Sequence, residues 1–309
     1  MPRPIIGVTM GDPAGIGPEV CAKALTSPEV KAIADCVLIG DRRMLPKVTA
    51  NSIRVIDLHN ADPAKIKIGQ VSKLAGKAAY EYLEKAIDLA KAGDIDAIAT
   101  APINKEALHK AGYKYDGHTE ILAAKTKAKN QAMMFVTTKL WVILATTHLP
   151  ISKVSKALTK KTIFNCIKLA NDTYLKVNGK KPKIGVAGLN PHAGENGIFG
   201  KEEINIIKPA IEEAKKLGLN INGPISPDAI FYLAKSGVFD IVVAMYHDQG
   251  LIPLKLLHFN QSVNVTVGLP IIRTSVDHGT GFDITGRGWA NPQSLIEAIK
   301  VAAMFAKKR

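Results

Sequence analysis

The sequence predicts an α/β protein of two lobes, each built on a largely parallel sheet covered by helices on both faces. Three observations carry this reading. Short runs rich in Ile, Val and Ala recur along the chain without the polar alternation of a half-exposed strand, and segments of helical spacing separate them. The 309 residues exceed what a single hydrophobic core usually fills, which favours two lobes with a cleft as the natural ligand site.

In chain order, PIIGVTM (4 to 10) reads as a strand and PEVCAKAL (18 to 25) as the helix after it. CVLIGD (36 to 41), a helical stretch from about 71 to 92 and IDAIATAP (95 to 102) continue the alternation. AMMFVTT, WVILATT, KIGVAGLN and DIVVAMY follow, separated by KTIFNCIKLANDTYLKV, EEINIIKPAIEEAKKLG and SPDAIFYLAKSG. No linker rich in Gly, Ser or Pro interrupts the pattern, as expected where one lobe is inserted into another.

Composition narrows the function classes. The chain is 47% hydrophobic and 22% charged, which excludes a disordered or collagen-like protein. Cys21, Cys36 and Cys166 are odd in number, far apart and in no CxxC pattern, so each reads as a small buried hydrophobe. No apolar run approaches the roughly 18 residues of a membrane span, and MPRPIIGVTMGD lacks the features of a signal peptide. A cytoplasmic protein without membrane contact is the expectation. The net charge of +14 points to anionic substrates and solubility. With aromatics at 6% there are few stacking platforms for nucleic acid, and no nucleic-acid partner is expected.

Three of the apolar strands run into a histidine: WVILATT into His148, KIGVAGLNP into His192 and DIVVAMY into His247. Carboxyl ends of parallel strands face the ligand crevice in open α/β sheets, and imidazoles from separate strands can bind a borderline divalent metal. The polar, glycine-rich loop around His192 (188 to 203) contains Asn190, Glu195 and Asn196, and loops of this kind usually serve a site. Asp248, beside His247, either orients a ligand or caps the next turn. DHGTGFDITGRG (277 to 288), with Asp277, His278 and four glycines, reads as a second loop of close approach.

A second constellation suits anions. Lys105 follows a strand in TAPINK, Lys255 lies eight residues after His247, and Arg273 closes VNVTVGLPIIRTS, which also holds Asn264. An Arg that ends an apolar run needs a partner. GHTE puts His118 and Thr119 just before a helical segment, with Thr119 equally readable as an N-cap. GDPAGIGPE (11 to 19) sits at the first strand-to-helix turn, but Val20 stands where a third dinucleotide-binding glycine belongs, and no P-loop, GxSxG elbow or CxxC pair is present.

Taken together and in order, GDPAGIGPE, TAPINK, GHTE, ATTHLP, GLNPHAGE, NGPISPD, AMYHDQGL and LPIIRTSVDHGT resemble the PdxA family, the 4-hydroxythreonine-4-phosphate dehydrogenases of pyridoxine and pyridoxal phosphate biosynthesis, from residue 4 to about 300. The resemblance implies a two-lobed α/β/α fold like that of isocitrate and isopropylmalate dehydrogenases. It also implies a homodimer, with the active site in the interlobe cleft at the dimer interface. The lobes are then expected at 1–125 with 270–309, and at 126–269, the second carrying the histidines and dimer contacts.

By motif, the resemblance makes His148, His192 and His247 ligands of one divalent metal, one of them reaching in from the partner subunit. Three nitrogens favour Zn²⁺ or Co²⁺ over Mg²⁺. His118, Thr119, Lys255, Asn264 and Arg273 become substrate contacts, Lys255 and Asp248 the catalytic candidates, and Asp228 of SPD a supporting residue. NAD is the implied cofactor, with NADP the alternative, at residues the sequence does not identify. The implied reaction oxidises 4-phosphooxy-L-threonine at C3 and decarboxylates it to 3-amino-2-oxopropyl phosphate. A sister group acts on 4-phospho-D-threonate or 4-phospho-D-erythronate and gives dihydroxyacetone phosphate. Phosphate acyl transfer, on a related fold, and nucleic-acid binding, on the net charge alone, are more distant alternatives.

Overall fold

The structure is a computed structural model that describes residues 2–258 and 261–307. The chain divides into two compact units, 1–131 with 263–309, and 132–262. The first opens with β1 (Ile5–Thr9), α1 (Gly17–Thr26), α2 (Pro28–Ile33), β2 (Asp35–Gly40), β3 (Val55–Asp57), α3 (Lys73–Ala92), β4 (Ala97–Thr100), α4 (Lys105–Lys110) and α5 (His118–Thr126). The second contains β5 (Ala132–Val136), β6 (Trp141–Leu144), α6 (Ile151–Ala157), α7 (Lys160–Asn178), β7 (Ile184–Ala187), α8 (Lys208–Lys215), β8 (Ile221–Ile225), α9 (Pro227–Lys235), β9 (Ile241–Ala244) and α10 (His247–His258). The chain returns to the first unit as β10 (Val263–Val267), β11 (Ile272–Ser275) and α11 (Gln293–Ala306).

In the first unit the strand order is β3-β2-β1-β4-β11-β10, with all neighbours parallel except β10 and β11. In the second it is β5-β6-β9-β7-β8, parallel except for β5 and β6. The two antiparallel pairs depart from an all-parallel pattern for a simple reason. Residues 137–140 and 268–271 are too few for a crossover, so each connection can only close a hairpin.

Every residue of β4, β6, β7 and β9 is buried, because helices cover both faces. In the second unit, Val142, Leu144, Val242 and Ala244 pack with Ile230 and Phe231 of α9 and Leu251 and Leu254 of α10. On the other face, α7 brings Tyr174 edge-on to Trp141, with ring centroids 5.0 Å apart. The buried positions of α7, Ile163, Cys166, Ile167, Ala170, Tyr174 and Val177, recur at three- and four-residue steps and form one apolar stripe. A Thr159–Thr162 capping box starts that helix, and Gly179 at φ +71° ends it. In the first unit α3 covers β1 and β2, while α11 covers β4, β10 and β11. No helix among the described residues is long and apolar enough to cross a membrane.

Candidate active site

In the second unit β6, β9 and β7 are adjacent and parallel, so their carboxyl ends share one edge. His148, His247 and His192 follow these strands by four, three and five residues. The rings of His148 and His247 lie with centroids 5.5 Å apart. His247 Nδ1 is 2.6 Å from Asp248 Oδ1, a bond that puts the proton on Nδ1 and leaves the lone pair on Nε2. Asp248 thus contacts the imidazole in the first turn of α10. The nitrogens of the three rings do not all fall within 4.8 Å of one another in the single chain. His192 lies instead near Asp228, whose carboxyl is held below its usual range first by the Ser226 hydroxyl and, more weakly, by the His192 charge.

The loop that carries His192 has an unusual backbone. His192, Ala193, Glu195 and Asn196 have φ of 51°, 50°, 41° and 53°, and Gly194 of 80°, so the chain makes a left-handed turn. Each such L-residue costs roughly 1 kcal/mol or more. Glu203, only 1% exposed, offsets part of that cost. Its Oε1 accepts from the backbone N–H of Leu189 (2.7 Å) and Asn190 (2.8 Å), and its Oε2 from Asn190 Nδ2 (2.9 Å). Hydrogen bonds to an ionised group are worth about 1.5–3 kcal/mol each. Gln249, also buried, accepts from Met245 N and donates to Gly188 O, tying the start of α10 to the end of β7. Sequence reasoning missed both residues. The only signal for Glu203 was an acid at the end of a glycine-rich loop, and nothing local marked it as buried.

Lys255 is half-buried on α10, two turns beyond His247, so its Cα is about 12 Å further along the helix axis. Lys105 is the exposed first residue of α4.

The first unit holds the anion-binding candidates. Strand alternation and register put Asn264, Thr266, Arg273, Ser275 and Thr100 on one face of the sheet. Arg273 is 2% exposed and donates to Thr266 Oγ1 (3.0 Å) and Thr100 Oγ1 (2.9 Å). Among the described residues it makes no ion pair, and its Nε has no hydrogen-bond partner. Burial lowers its pKa to about 9, against a smaller opposing effect of Glu120. His118 Nε2 and Asn264 Oδ1 are likewise buried and unpartnered. Burial first, and the Arg273 charge second, hold His118 well below its usual pKa, so the ring is neutral at pH 7. Gly117, not Thr119, occupies the N-cap of α5, and no side chain caps that end. Thr119 stands in the first turn. The N-terminal N–H groups, the unpartnered guanidinium nitrogen and the neutral imidazole form a polar set suited to a phosphate or carboxylate.

The glycines of the first strand-to-helix turn serve loop packing. A Cβ on Gly17 would lie 2.1 Å from Met10 O, one on Gly11 2.3 Å from Pro102 O, and one on Gly15 2.7 Å from Thr280 O. Ile16 N donates to Thr280 O, which fastens the turn to the 277–288 loop. That accounts for glycines that fit no dinucleotide fingerprint. Asp12 Oδ2 in the turn and His278 Nε2 in the loop are both buried without a partner. Burial pushes the Asp12 carboxyl up to about 6, against the bond from Ala14 N. These two segments leave buried polar atoms without partners where a polar cofactor would supply them, and sequence reasoning assigned no residue to that role.

Asp41, Asp57 and His59 form another cluster, with ligand atoms within 4.8 Å of one another. One of its two carboxylates already has a cationic partner. The Arg43 guanidinium donates to both Asp41 oxygens, at 3.0 and 2.7 Å. Burial works to raise the Asp41 pKa, but the bonds from Arg43 and the Ala61 N–H outweigh it and keep the carboxyl below its usual range.

Comparison with known proteins shows the family to which the chain belongs. The chain matches the family described as pyridoxal phosphate biosynthetic protein PdxA over residues 17–302. It is 44% identical to a 4-hydroxythreonine-4-phosphate dehydrogenase of Desulforapulum autotrophicum, covering 98% of this chain and 96% of the relative. It is 43% identical to a Clostridium botulinum protein provisionally named D-threonate 4-phosphate dehydrogenase, covering 99% and 98%. The crystal structure of 4-hydroxythreonine-4-phosphate dehydrogenase from Klebsiella pneumoniae superposes with a TM-score of 0.91 at 43% identity, over 98% of each chain. Isocitrate dehydrogenase from Methylococcus capsulatus, at 15% identity and a TM-score of 0.51 over 97% and 85%, shares the fold alone. The chain therefore belongs to the PdxA family and is a dehydrogenase of that type.

Proposed function

We propose that the protein oxidises the C3 hydroxyl of a four-carbon acid phosphorylated at C4, with NAD⁺ as acceptor and NADP⁺ the alternative, and that the product loses carbon dioxide. The observation that carries this reading is Arg273, a buried cation without an ion-pair partner among the described residues, beside unpartnered polar atoms of His118 and Asn264. An anionic substrate supplies what these groups lack.

The donor set of the second unit suits a borderline divalent cation: imidazoles of His148 and His247 close together, with His247 Nε2 carrying the lone pair. His148, His192 and His247 would hold it, one of the three coming from the second subunit of a homodimer. When bound, the cation supplies Lewis acidity toward the substrate hydroxyl, and a nicotinamide supplies a hydride acceptor.

The chain's own residues do the rest. Arg273 and the uncapped start of α5, with His118 and Thr119, grip an anionic end and fix the orientation of C3. Asn264 Oδ1 accepts a hydrogen bond from the substrate. Asp248 holds the His247 tautomer, and Lys255 is the group we assign to proton transfer. Oxidation at C3 leaves a β-keto acid, so decarboxylation follows from the product's own chemistry. Apolar side chains left in water on the segments that follow the three histidines, Leu149, Ile151, Phe199, Ile252 and Leu256, support the homodimer.

Two substrates share this skeleton and differ at C2. The amino form, 4-phosphooxy-L-threonine, gives 3-amino-2-oxopropyl phosphate and serves pyridoxine biosynthesis. The hydroxy form, 4-phospho-D-threonate, gives dihydroxyacetone phosphate. Relatives at 43% and 46% identity bear the D-threonate name and one at 44% the 4-hydroxythreonine name, which supports the hydroxy acid beside the amino acid that the resemblance put first. NADH formation from purified protein, NAD⁺, Zn²⁺ or Co²⁺ and each substrate separately tests the reading. Turnover of phospho-D-threonate is expected, and inactivity on both substrates overturns the proposal. His192→Ala is expected to stay folded while losing bound metal and activity; full activity in that variant refutes its place in the site.

A further inference from the structure

We infer that Glu203 is a positioning residue of the dehydrogenase site, holding the left-handed turn that presents His192. The inference rests on the proposed role of His192 and adds the residue through which that role is set. The turn strings together four non-glycine residues with positive φ, a run that local preference does not sustain. What replaces local preference is a buried carboxylate. Glu203 closes the two backbone N–H groups at the turn's entrance and the Asn190 side chain, whose Nδ2 also reaches Glu202 Oε2 at 2.9 Å.

The geometry leaves the carboxylate little freedom. A Cβ on Gly194 would stand 2.7 Å from Glu203 Oε2, and one on Gly188 3.2 Å from Oε1, so the turn wraps onto the carboxylate from both sides. Gly188 is also where Gln249 attaches the segment that begins α10, two residues from His247. Glu203 is therefore the outer member, and Gln249 the inner member, of one polar brace reaching from the His247 segment to the His192 turn. Neither side chain contacts a histidine. Each acts by fixing the backbone that carries one.

Glu203→Gln separates positioning from general stability. The amide keeps the size of the side chain and can accept both backbone N–H groups, but it turns an N–H₂ group toward Asn190 Nδ2, so one bond of the brace is lost. Expected results are Co²⁺ affinity, read by titration calorimetry on the metal alone, weaker by about 10- to 100-fold, a kcat lower by a similar factor, and an unchanged KM for NAD⁺. Amide hydrogen exchange over residues 189–197 is expected to quicken while the strands keep their protection. Gly194→Ala, which crowds the carboxylate and leaves its charge in place, is expected to reproduce the pattern.

A lowered thermal midpoint with wild-type Co²⁺ affinity and kcat in the folded fraction means a merely structural Glu203 and overturns the inference. So does unaltered exchange over 189–197. If His192→Ala itself keeps full Co²⁺ affinity and activity, the reading of His192 is what fails, and Glu203 has no site to position. Loss in His192→Ala beside wild-type behaviour in Glu203→Gln sinks the brace alone.

Discussion

Under the proposed function, Arg273 concentrates the cost of anion binding in one side chain. A guanidinium sealed from water with two threonine hydroxyls for company keeps most of its desolvation penalty, and burial takes its pKa down to about 9 against a smaller opposing effect of Glu120. Arg273→Met is accordingly expected to raise the thermal midpoint by a few degrees while kcat/KM falls by roughly 10²- to 10³-fold, checked by calorimetry and steady-state kinetics. Asp12 makes a related prediction with a defined sign. Its carboxyl is pushed up to about 6 in the folded chain from an ordinary 3.8. Above both values the folded state bears the penalty of a buried charge, on the order of 3 kcal/mol, and stability rises as pH falls from 6 toward 4 because the folded state takes up the proton first. Asp12→Asn keeps an acceptor for Ala14 N. Urea unfolding is expected to find it more stable than the parent at pH 8 and equal to it near pH 4. Arg273 was legible in the sequence because it closes an apolar run. Asp12 was not singled out, since a Gly-Asp-Pro turn reads as ordinary loop chemistry and its burial depends on residues far along the chain.

At the scale of elements, helix ends and stripes followed local rules. Thr159 and Thr162 cap α7 reciprocally, at 3.0 Å and 3.3 Å, and Thr159→Ala is expected to cost about 1 kcal/mol in urea unfolding. Gly76 obeys a different rule. In an isolated helix an alanine there would gain about 1 kcal/mol, but its Cβ would lie 2.1 Å from Ala107 O, where α4 crosses α3 with backbone nearly touching backbone. Gly76→Ala is therefore expected to be destabilising, by roughly 1–3 kcal/mol, seen as a lower urea midpoint at unchanged slope. The strands were legible as buried runs, and so was their delivery of three histidines. The left-handed turn at 192–196 was legible only as an irregular loop, because Asn and His visit that conformation singly and a run of five such residues is not set by local preference.

For the whole molecule, the proposed homodimer makes a direct prediction. Ile252 and Leu256 stand one turn apart on α10, 67% and 84% exposed, too apolar to sit comfortably in water. Sedimentation velocity is expected to give twice the monomer mass for the parent chain, and the monomer mass with loss of activity for Leu256→Glu. By itself, the sequence determined the α/β class, the strands that end at His148, His192 and His247, the arginine that closes an apolar run at 273 and the PdxA motifs. All of these depend on residue type and near-neighbour spacing. Tertiary structure alone decided which polar atoms are sealed without partners, which glycines cannot accept a Cβ, and that Glu203 and Gln249 brace the histidine loops. Such properties belong to pairs distant in the chain: Arg273 meets Thr100 across 173 residues, and Gln249 meets Gly188 across 61. Burial and hydrogen-bond satisfaction are set where the folded chain brings such pairs together, and no local window contains both members.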